Sequence, residues 1–335
     1  MTTAAPMAIP SATALVRHSG VGLDLARSWV DLDKAQRRRR AIAAAQLHDI
    51  PELLDLVDVG LTLHGKRKKA TSPQTRAAYR RAVRALLAAW AHEDLLSVDG
   101  DTAVLWVESL KGKDGDDAKP ATKTRHVSSA RALYAALRWA KATTADPFAD
   151  VHIPTDPTPA WDKRAPYDDA VVERLLTTAA GDDKVLVLLG AHAGLRVSEM
   201  TALRWEDIDL AGRTLVVRQG KGGKMRSVAL SRSLVEALKD LRDDEDRSVP
   251  TERSRYVLPY RSGFNAWRRM KVLCARAGVT SLGIHSLRHT AGTRVFHETR
   301  SLEDAARHLG HASIETARVY AKWDDTHLKT TVGEW

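Results

Sequence analysis

One cysteine is all the thiol chemistry the chain has, so no disulfide can close within it. Cys274 falls in MKVLCARAG, an apolar helical pattern, and reads as a small buried hydrophobe. Long hydrophobic runs are missing too. No stretch approaches the ~20 apolar residues that a membrane-spanning helix needs, and no signal-peptide pattern opens the sequence. These absences set membranes aside and leave the cytoplasm as the expected compartment. No group of Asp, Glu, His or Cys has metal-ligand spacing, and GKGGK lacks the spacing and trailing Ser or Thr of a phosphate-cradling Walker loop. Neither a metal nor a nucleotide cofactor is therefore expected.

What the chain does have is length and positive charge. Its 335 residues exceed the usual size of one compact domain, which predicts two, and 44% hydrophobic with 28% charged residues reads as globular. The net charge is +10, and both halves are basic. A polyanion such as nucleic acid fits that balance, although many basic proteins bind none.

Residues 1–64 read as a flexible start followed by a helical extension. The first twenty are Ala, Pro, Thr and Ser with little periodicity; from Asp31 the pattern turns helical and ends in HGKRKKATSP. Arg37 to Arg40 could reach DNA, but four consecutive arginines cover every face of a helix and are equally a solvated charge run. Residues 65–152 read as a small helical bundle. From Thr75 to Trp90, Val83, Leu86, Leu87 and Trp90 recur at helical spacing, with Arg76, Arg80 and Arg84 on another face. A second helix is predicted from Thr122 to Lys141, turning Leu133, Tyr134 and Leu137 inward and Lys123, Arg131 and Arg138 outward. Such basic faces can lie along phosphates, or can be an ordinary solvated surface.

The stretch DPFADVHIPTDPTPAWDKRAPY, with five prolines, marks a linker whose boundaries we set at 153–166. A second domain, 167–335, follows. Val171, Val172, Leu175, Leu176 and Ala179 restart a helical stripe, and Val185 to Ala191 continue as a buried helix. TLVVRQGKGGKMRSVAL, residues 214–230, is the one convincing β segment, two β-branched runs joined by a Gly-rich turn. Helices then dominate, and Ser301 with Asp304 offers a cap to a short helix that ends at Gly310.

Several residues stand out for their chemistry. AGLRVSEM holds Arg196 and Glu199 three apart, which shares one helical face if the chain is helical there and is otherwise a surface ion pair. Lys221 sits at the tip of the glycine-rich turn, HSLRHT carries His285 and Arg288, LGHAS carries His311, and ARVYAKW carries Tyr320. Singly each is weak, because lone histidines and helical tyrosines are usually structural.

In order, and with the flanking words GLRVSE, LRHT and LGH and the nine-residue step from His311 to Tyr320, these positions resemble the tyrosine recombinase or phage integrase family, the Xer- and Cre-like site-specific recombinases. The resemblance covers roughly residues 70–335 and is strongest over 190–323. It implies a mainly α protein with a small β-sheet, built as a two-domain C-shaped clamp on double-stranded DNA: a helical SAM-like core-binding domain and a catalytic domain with a C-terminal tail. It also implies a site-specific recombinase that cuts and rejoins strands through a 3′-phosphotyrosine, as a tetramer on two DNA sites, with a Holliday junction between two rounds of exchange. Any need for accessory proteins is left open.

The residue types suit that chemistry. Guanidinium groups grip non-bridging phosphate oxygens in bidentate fashion, so Arg196 and Arg288 are expected to stabilise the negative charge that builds in phosphoryl transfer. The Tyr320 hydroxyl, ordinarily near pKa ~10, needs help to lose its proton, and His285 is the candidate base. Lys221 is the candidate acid for the departing 5′ oxygen, His311 a donor to the phosphate, and Glu199 the residue that orients its neighbours. The covalent intermediate keeps the bond energy, so rejoining needs no ATP.

Two further points bear on the resemblance. Fifteen residues follow Tyr320, and Leu328, Val332 and Trp335 there could dock on an adjacent subunit or on their own domain. Residues 1–65 read as helical, unlike the small β-sheet arm-binding domain of some integrases. Two other functions share the residues: a type IB topoisomerase-like enzyme that relaxes DNA without a specific site, and a catalytically inactive DNA-binding regulator.

Overall fold

The computed structural model describes residues 22–66, 71–112, 114–158, 165–218, 225–243 and 255–310, together with Ala317 and Tyr320. Lys221, His311, residues 1–21 and the tail after Tyr320 lie outside the described residues. The protein is mainly helical with one small sheet, and it divides into two compact units, Met1–Pro157 and Thr158–Trp335.

The first unit is all helix: α1 over residues 22–30, α2 over Lys34–Gln46, α3 over Ile50–Leu63, α4 over Pro73–Ala89, α5 over Gly100–Ser109 and α6 over Pro120–Trp139. Their starts follow from local chemistry. Asp33, Asp49, Ser72 and Asp99 accept the otherwise orphaned amides of α2, α3, α4 and α5, and prolines occupy the first turns of α3, α4 and α6, where no amide is needed. The longest helix, α6, packs against both α3 and α4. Leu133, Tyr134 and Leu137 face inward, as their spacing predicts, and so do Val83, Leu86 and Leu87 of α4. Trp90 stacks on Phe148 at 5.6 Å and meets Trp106 and Tyr134 edge-on or tilted. Trp29 and α3 belong to this same core, so the helices before residue 64 are walls of the bundle.

Most of the arginine run is engaged within its own unit. Arg37 donates to the carbonyls of Trp29 and Leu32 and lies over the Trp139 ring. Arg38 donates to the Lys141 carbonyl, and Arg40 pairs with Glu52 while covering Trp29. Three of the four are thus spent holding α2 to its own unit. Burying long arginine stems against tryptophan while capping carbonyls is a use that a charge count cannot reveal.

The second unit is arranged around α8, Gly181–Ala191, whose Val185 to Leu189 are wholly buried. A helix apolar on every side has to be enclosed, and α7 (Asp169–Thr178), α10 (Arg232–Asp243), α11 (Gly263–Arg276) and α12 (Ile284–Thr299) enclose it. Short α9, Val197–Ala202, leads into a three-stranded antiparallel sheet of β1 (Ile208–Asp209), β2 (Thr214–Val217) and β3 (Arg226–Ala229) in the order β1-β2-β3. The β2–β3 ladder runs from Thr214 opposite Ala229 to Val217 opposite Arg226. Strand β1 is only two residues long, too short to show a period of two, and was not foreseen. Finally α13, Leu302–Leu309, begins where Ser301 accepts the Asp304 amide and ends at left-handed Gly310. Cys274 is buried, as its apolar setting predicts. Among the described residues no helix is long and apolar enough to cross a membrane.

Candidate active site

Three arginines of the second unit meet at one carboxylate. Glu199 has a side chain only 2% exposed; it accepts from the Arg196 guanidinium at 2.9 Å and from both terminal nitrogens of Arg226 at 2.9 and 2.8 Å. Arg288 stands 4.0 Å away on its other side. Arg196 and Glu199 do not share a helical face. Arg196 is extended, at the N-cap of α9, and Glu199 three residues on bends back to accept its backbone amide at 2.8 Å. The spacing of three is a capping interaction, which satisfies an orphan amide and points the arginine out of the helix start.

Arg288 projects from α12 into a buried position and donates to the carbonyls of Gly194 and Leu309, the latter at 2.7 Å. Gly194 adopts φ +61°, a left-handed turn suited to glycine that delivers its carbonyl to this guanidinium. Burial first, then the like charge of Arg196, lower Arg288 to about 10, which leaves it a cation at neutral pH. Glu199 responds the other way. Burial pushes it up, but hydrogen bonds from Arg226 and the Arg196 amide outweigh that and hold it at about 2. Three guanidinium groups against one carboxylate leave surplus positive charge where a phosphate would be drawn.

Tyr320 lies in the same neighbourhood and is 2% exposed. Its ring presses on α12 at Gly292, where a Cβ would collide with the phenol carbons, so only glycine leaves it room. Burial raises the Tyr320 hydroxyl to about 12, against the pull of Arg288 and Arg196, both near enough to act on it. His285, the expected base, is exposed on α12. Between it and Tyr320 stands His289, its ring 5.0 Å from that of His285 and 6.0 Å from the phenol. On the far side of the Arg288 carbonyls, His308 bonds to the His192 carbonyl at 2.8 Å and His192 to Ser231 at 2.8 Å. Burial lowers both histidines, His192 to about 4.

Sequence reasoning missed Arg226 and His289. The signal for His289 was in plain view, one residue past Arg288 in HSLRHT. Arg226 gave none, since an arginine opening a strand ordinarily faces water.

The six basic residues of the first unit read as a DNA face are mostly engaged within it. Asp58 and Asp55 of α3 hold Arg80 at 2.6 and 3.1 Å, and Arg76 donates to the Asp58 carbonyl and Thr62. Lys123 pairs with Glu108, Arg131 donates to the carbonyls of Phe148, Ala149 and Val151, and Arg138 binds Asp146 and the Ala145 carbonyl. Arg84 stands exposed.

Both units resemble known proteins. Residues 167–327 match the model of the phage integrase family, and residues 64–141 match that of the phage integrase N-terminal SAM-like domain. The chain is 30% identical over 282 residues to tyrosine recombinase XerC of Xanthomonas campestris pv. campestris (strain B100), covering 79% of this chain and 83% of that one. Tyrosine recombinase XerA of Thermococcus kodakarensis is 34% identical over 150 residues, 44% of this chain and 53% of its own. Among solved structures, XerH site-specific recombinase bound to a palindromic difH substrate superposes with a TM-score of 0.63 at 17% identity, covering 94% of both chains. A lambda integrase dimer bound to a COC' core site gives 0.62 at 17%, covering 82% of this chain and 95% of that one. The fold is shared with these solved recombinases. The chain belongs to the tyrosine recombinase family.

Proposed function

We propose that this protein is a site-specific DNA recombinase that cleaves and rejoins duplex DNA through a covalent 3′-phosphotyrosine at Tyr320. The observation that carries the reading is the meeting of Arg196 and Arg288 at Glu199, with both guanidinium groups acting on the Tyr320 phenol. A scissile phosphate bound by the two arginines would place its non-bridging oxygens against positive charge already fixed by carbonyls and a carboxylate, with little reorganisation left for the transition state. The Tyr320 oxygen attacks phosphorus, the bond to the 5′ oxygen breaks, and that oxygen takes a proton, for which Lys221 is the donor we assign. The phenol proton leaves toward the α12 histidines, His285 with His289 between it and the ring. His311 completes the phosphate contacts. Reversal of these steps by a 5′ hydroxyl from a partner strand rejoins DNA without ATP.

Recombination by this route would join four copies on two DNA sites through a Holliday junction, in the cytoplasm where the DNA lies. The first unit supplies the second grip on DNA, with Arg84 contacting phosphate directly. Arg76, Arg80, Lys123, Arg131 and Arg138 join it only by releasing the partners they now hold.

Tyr320→Phe tests the nucleophile. Incubated with a nicked suicide duplex, the unchanged protein should form an adduct that survives a denaturing gel, and the variant should form none while still shifting the duplex in a native gel. An adduct that persists in Y320F excludes Tyr320.

A further inference from the structure

Arg226 touches more of the site than a counter-ion needs to. It opens β3 and pairs across the ladder with Val217, the last residue of β2, so it stands where the segment carrying Lys221, five residues earlier, returns to the sheet. Its two terminal nitrogens take both oxygens of Glu199, the planar fork against the planar carboxylate. Its aliphatic stem lies against Gly310, where a Cβ would collide with Arg226 Cδ, and Gly310 immediately precedes His311. One side chain thus joins the carboxylate that holds Arg196, the strand leading out of the lysine segment and the residue leading to His311.

We propose that Arg226 is a positioning residue for strand cleavage: it locks Glu199, and through it Arg196, in register with the root of the segment carrying Lys221, without itself touching the phosphate. The proposal rests on Arg196, Arg288 and Tyr320 being the groups that act on the phosphodiester. Its force comes from the geometry of the carboxylate. Arg196 already holds both oxygens, through its backbone amide and one guanidinium nitrogen, but only from the start of α9; the Arg226 fork takes the same two oxygens from β3 and so ties the carboxylate to the sheet. The charged groups facing Glu199 are Arg196 at the start of α9, Arg226 on β3 and Arg288 on α12, with His308 of α13 facing Arg226 and Arg288. Without Arg226, burial is less opposed, so Glu199 takes up a proton in milder acid and loosens its hold on Arg196. A lysine restores the charge but not the fork.

The test is single-turnover cleavage followed from about pH 5 to about pH 9. Its substrate is a nicked suicide duplex whose site has been selected from a random pool by covalent capture on the unchanged protein. R226Q should cleave about tenfold to a hundredfold more slowly, the equivalent of losing charged hydrogen bonds, with its acid limb moved to higher pH and its duplex binding retained. R226K should recover the position of the acid limb but not the full rate. If R226Q does not fold, R226K decides alone: slower cleavage by a folded protein that keeps its duplex binding supports the role, and an unchanged rate overturns it. A loss in R226Q that is uniform across pH, and that R226K does not relieve, also overturns it, because bulk structural damage has that signature. The two readings separate by the unchanged protein itself. Capture on a residue other than Tyr320 sinks both, whereas capture on Tyr320 with an unaffected R226Q sinks only the role of Arg226.

Discussion

The two units use arginine in opposite ways. In the first, the engaged guanidinium groups have local acceptors: Arg80 has Asp55 and Asp58, Arg131 has the carbonyls after α6, and Arg37 has those at the end of α1 and just beyond it. Each of these has acceptors of its own close by, and the arginines serve as struts. In the second, Arg196, Arg226 and Arg288 share the single carboxylate of Glu199, and positive charge is left over in a buried place. The same residue type is structural where its acceptors equal its donors and poised for an anion where they do not. Abundance of arginine says little about which of these a region is, and stoichiometry says most of it.

The sharpest way to break this comparison is to remove the shared acceptor. Glu199→Ala leaves buried cations uncompensated and should cost about 3–5 kcal/mol in urea unfolding. Arg80→Ala in the first unit, where Asp58 keeps Arg76, should cost about 1 kcal/mol or less. Equal costs would mean that the two arginine clusters are alike. Acid sharpens the same contrast. Because the folded value of Glu199, about 2, lies below its ordinary 4.5, its contribution is fully present above 4.5 and is lost as pH falls through 2. E199Q should flatten stability across that window.

A smaller effect is expected from Gly292→Ala, which displaces the Tyr320 ring without touching an arginine. Cleavage should fall about a hundredfold, the cost of misplacing a reacting group by an ångström or so, with duplex binding intact. Normal cleavage by G292A would show that the ring does not react from this seat. Smallest of all, Arg84→Ala should weaken duplex binding uniformly across sequences and lower the salt-dependence slope by about 1, as the loss of one phosphate contact does. Arg80→Ala, already neutralised, should leave that slope where it is, and a change equal to that of R84A would return Arg80 to the DNA face.

Local pattern carried the sequence reading a long way. The helical stripe of Val83, Leu86 and Leu87, the wholly apolar α8 and the β-branched runs of the hairpin all announced themselves, because each follows from the period of its own element. What stayed hidden was pairing between elements. Asp55 and Asp58 lie some twenty residues from the arginines they hold, and a helical wheel of α4 shows its basic face but not the acidic helix set against it. In the second unit the motif order pointed to Arg196, Arg288 and Tyr320 through resemblance, not through spacing. The one geometric inference drawn from spacing, a shared helical face for Arg196 and Glu199, gave way to a cap. Arg226 was illegible because its role is defined only once β3 is folded against α9.

The recess that Gly292 opens in α12 has a mechanical corollary. The Tyr320 phenol rests on the same rod that carries Arg288, a single turn, or about 6 Å, further along. Any shift of α12 itself would displace that recess and the Arg288 backbone by the same amount, as two notches cut in one bar keep their spacing.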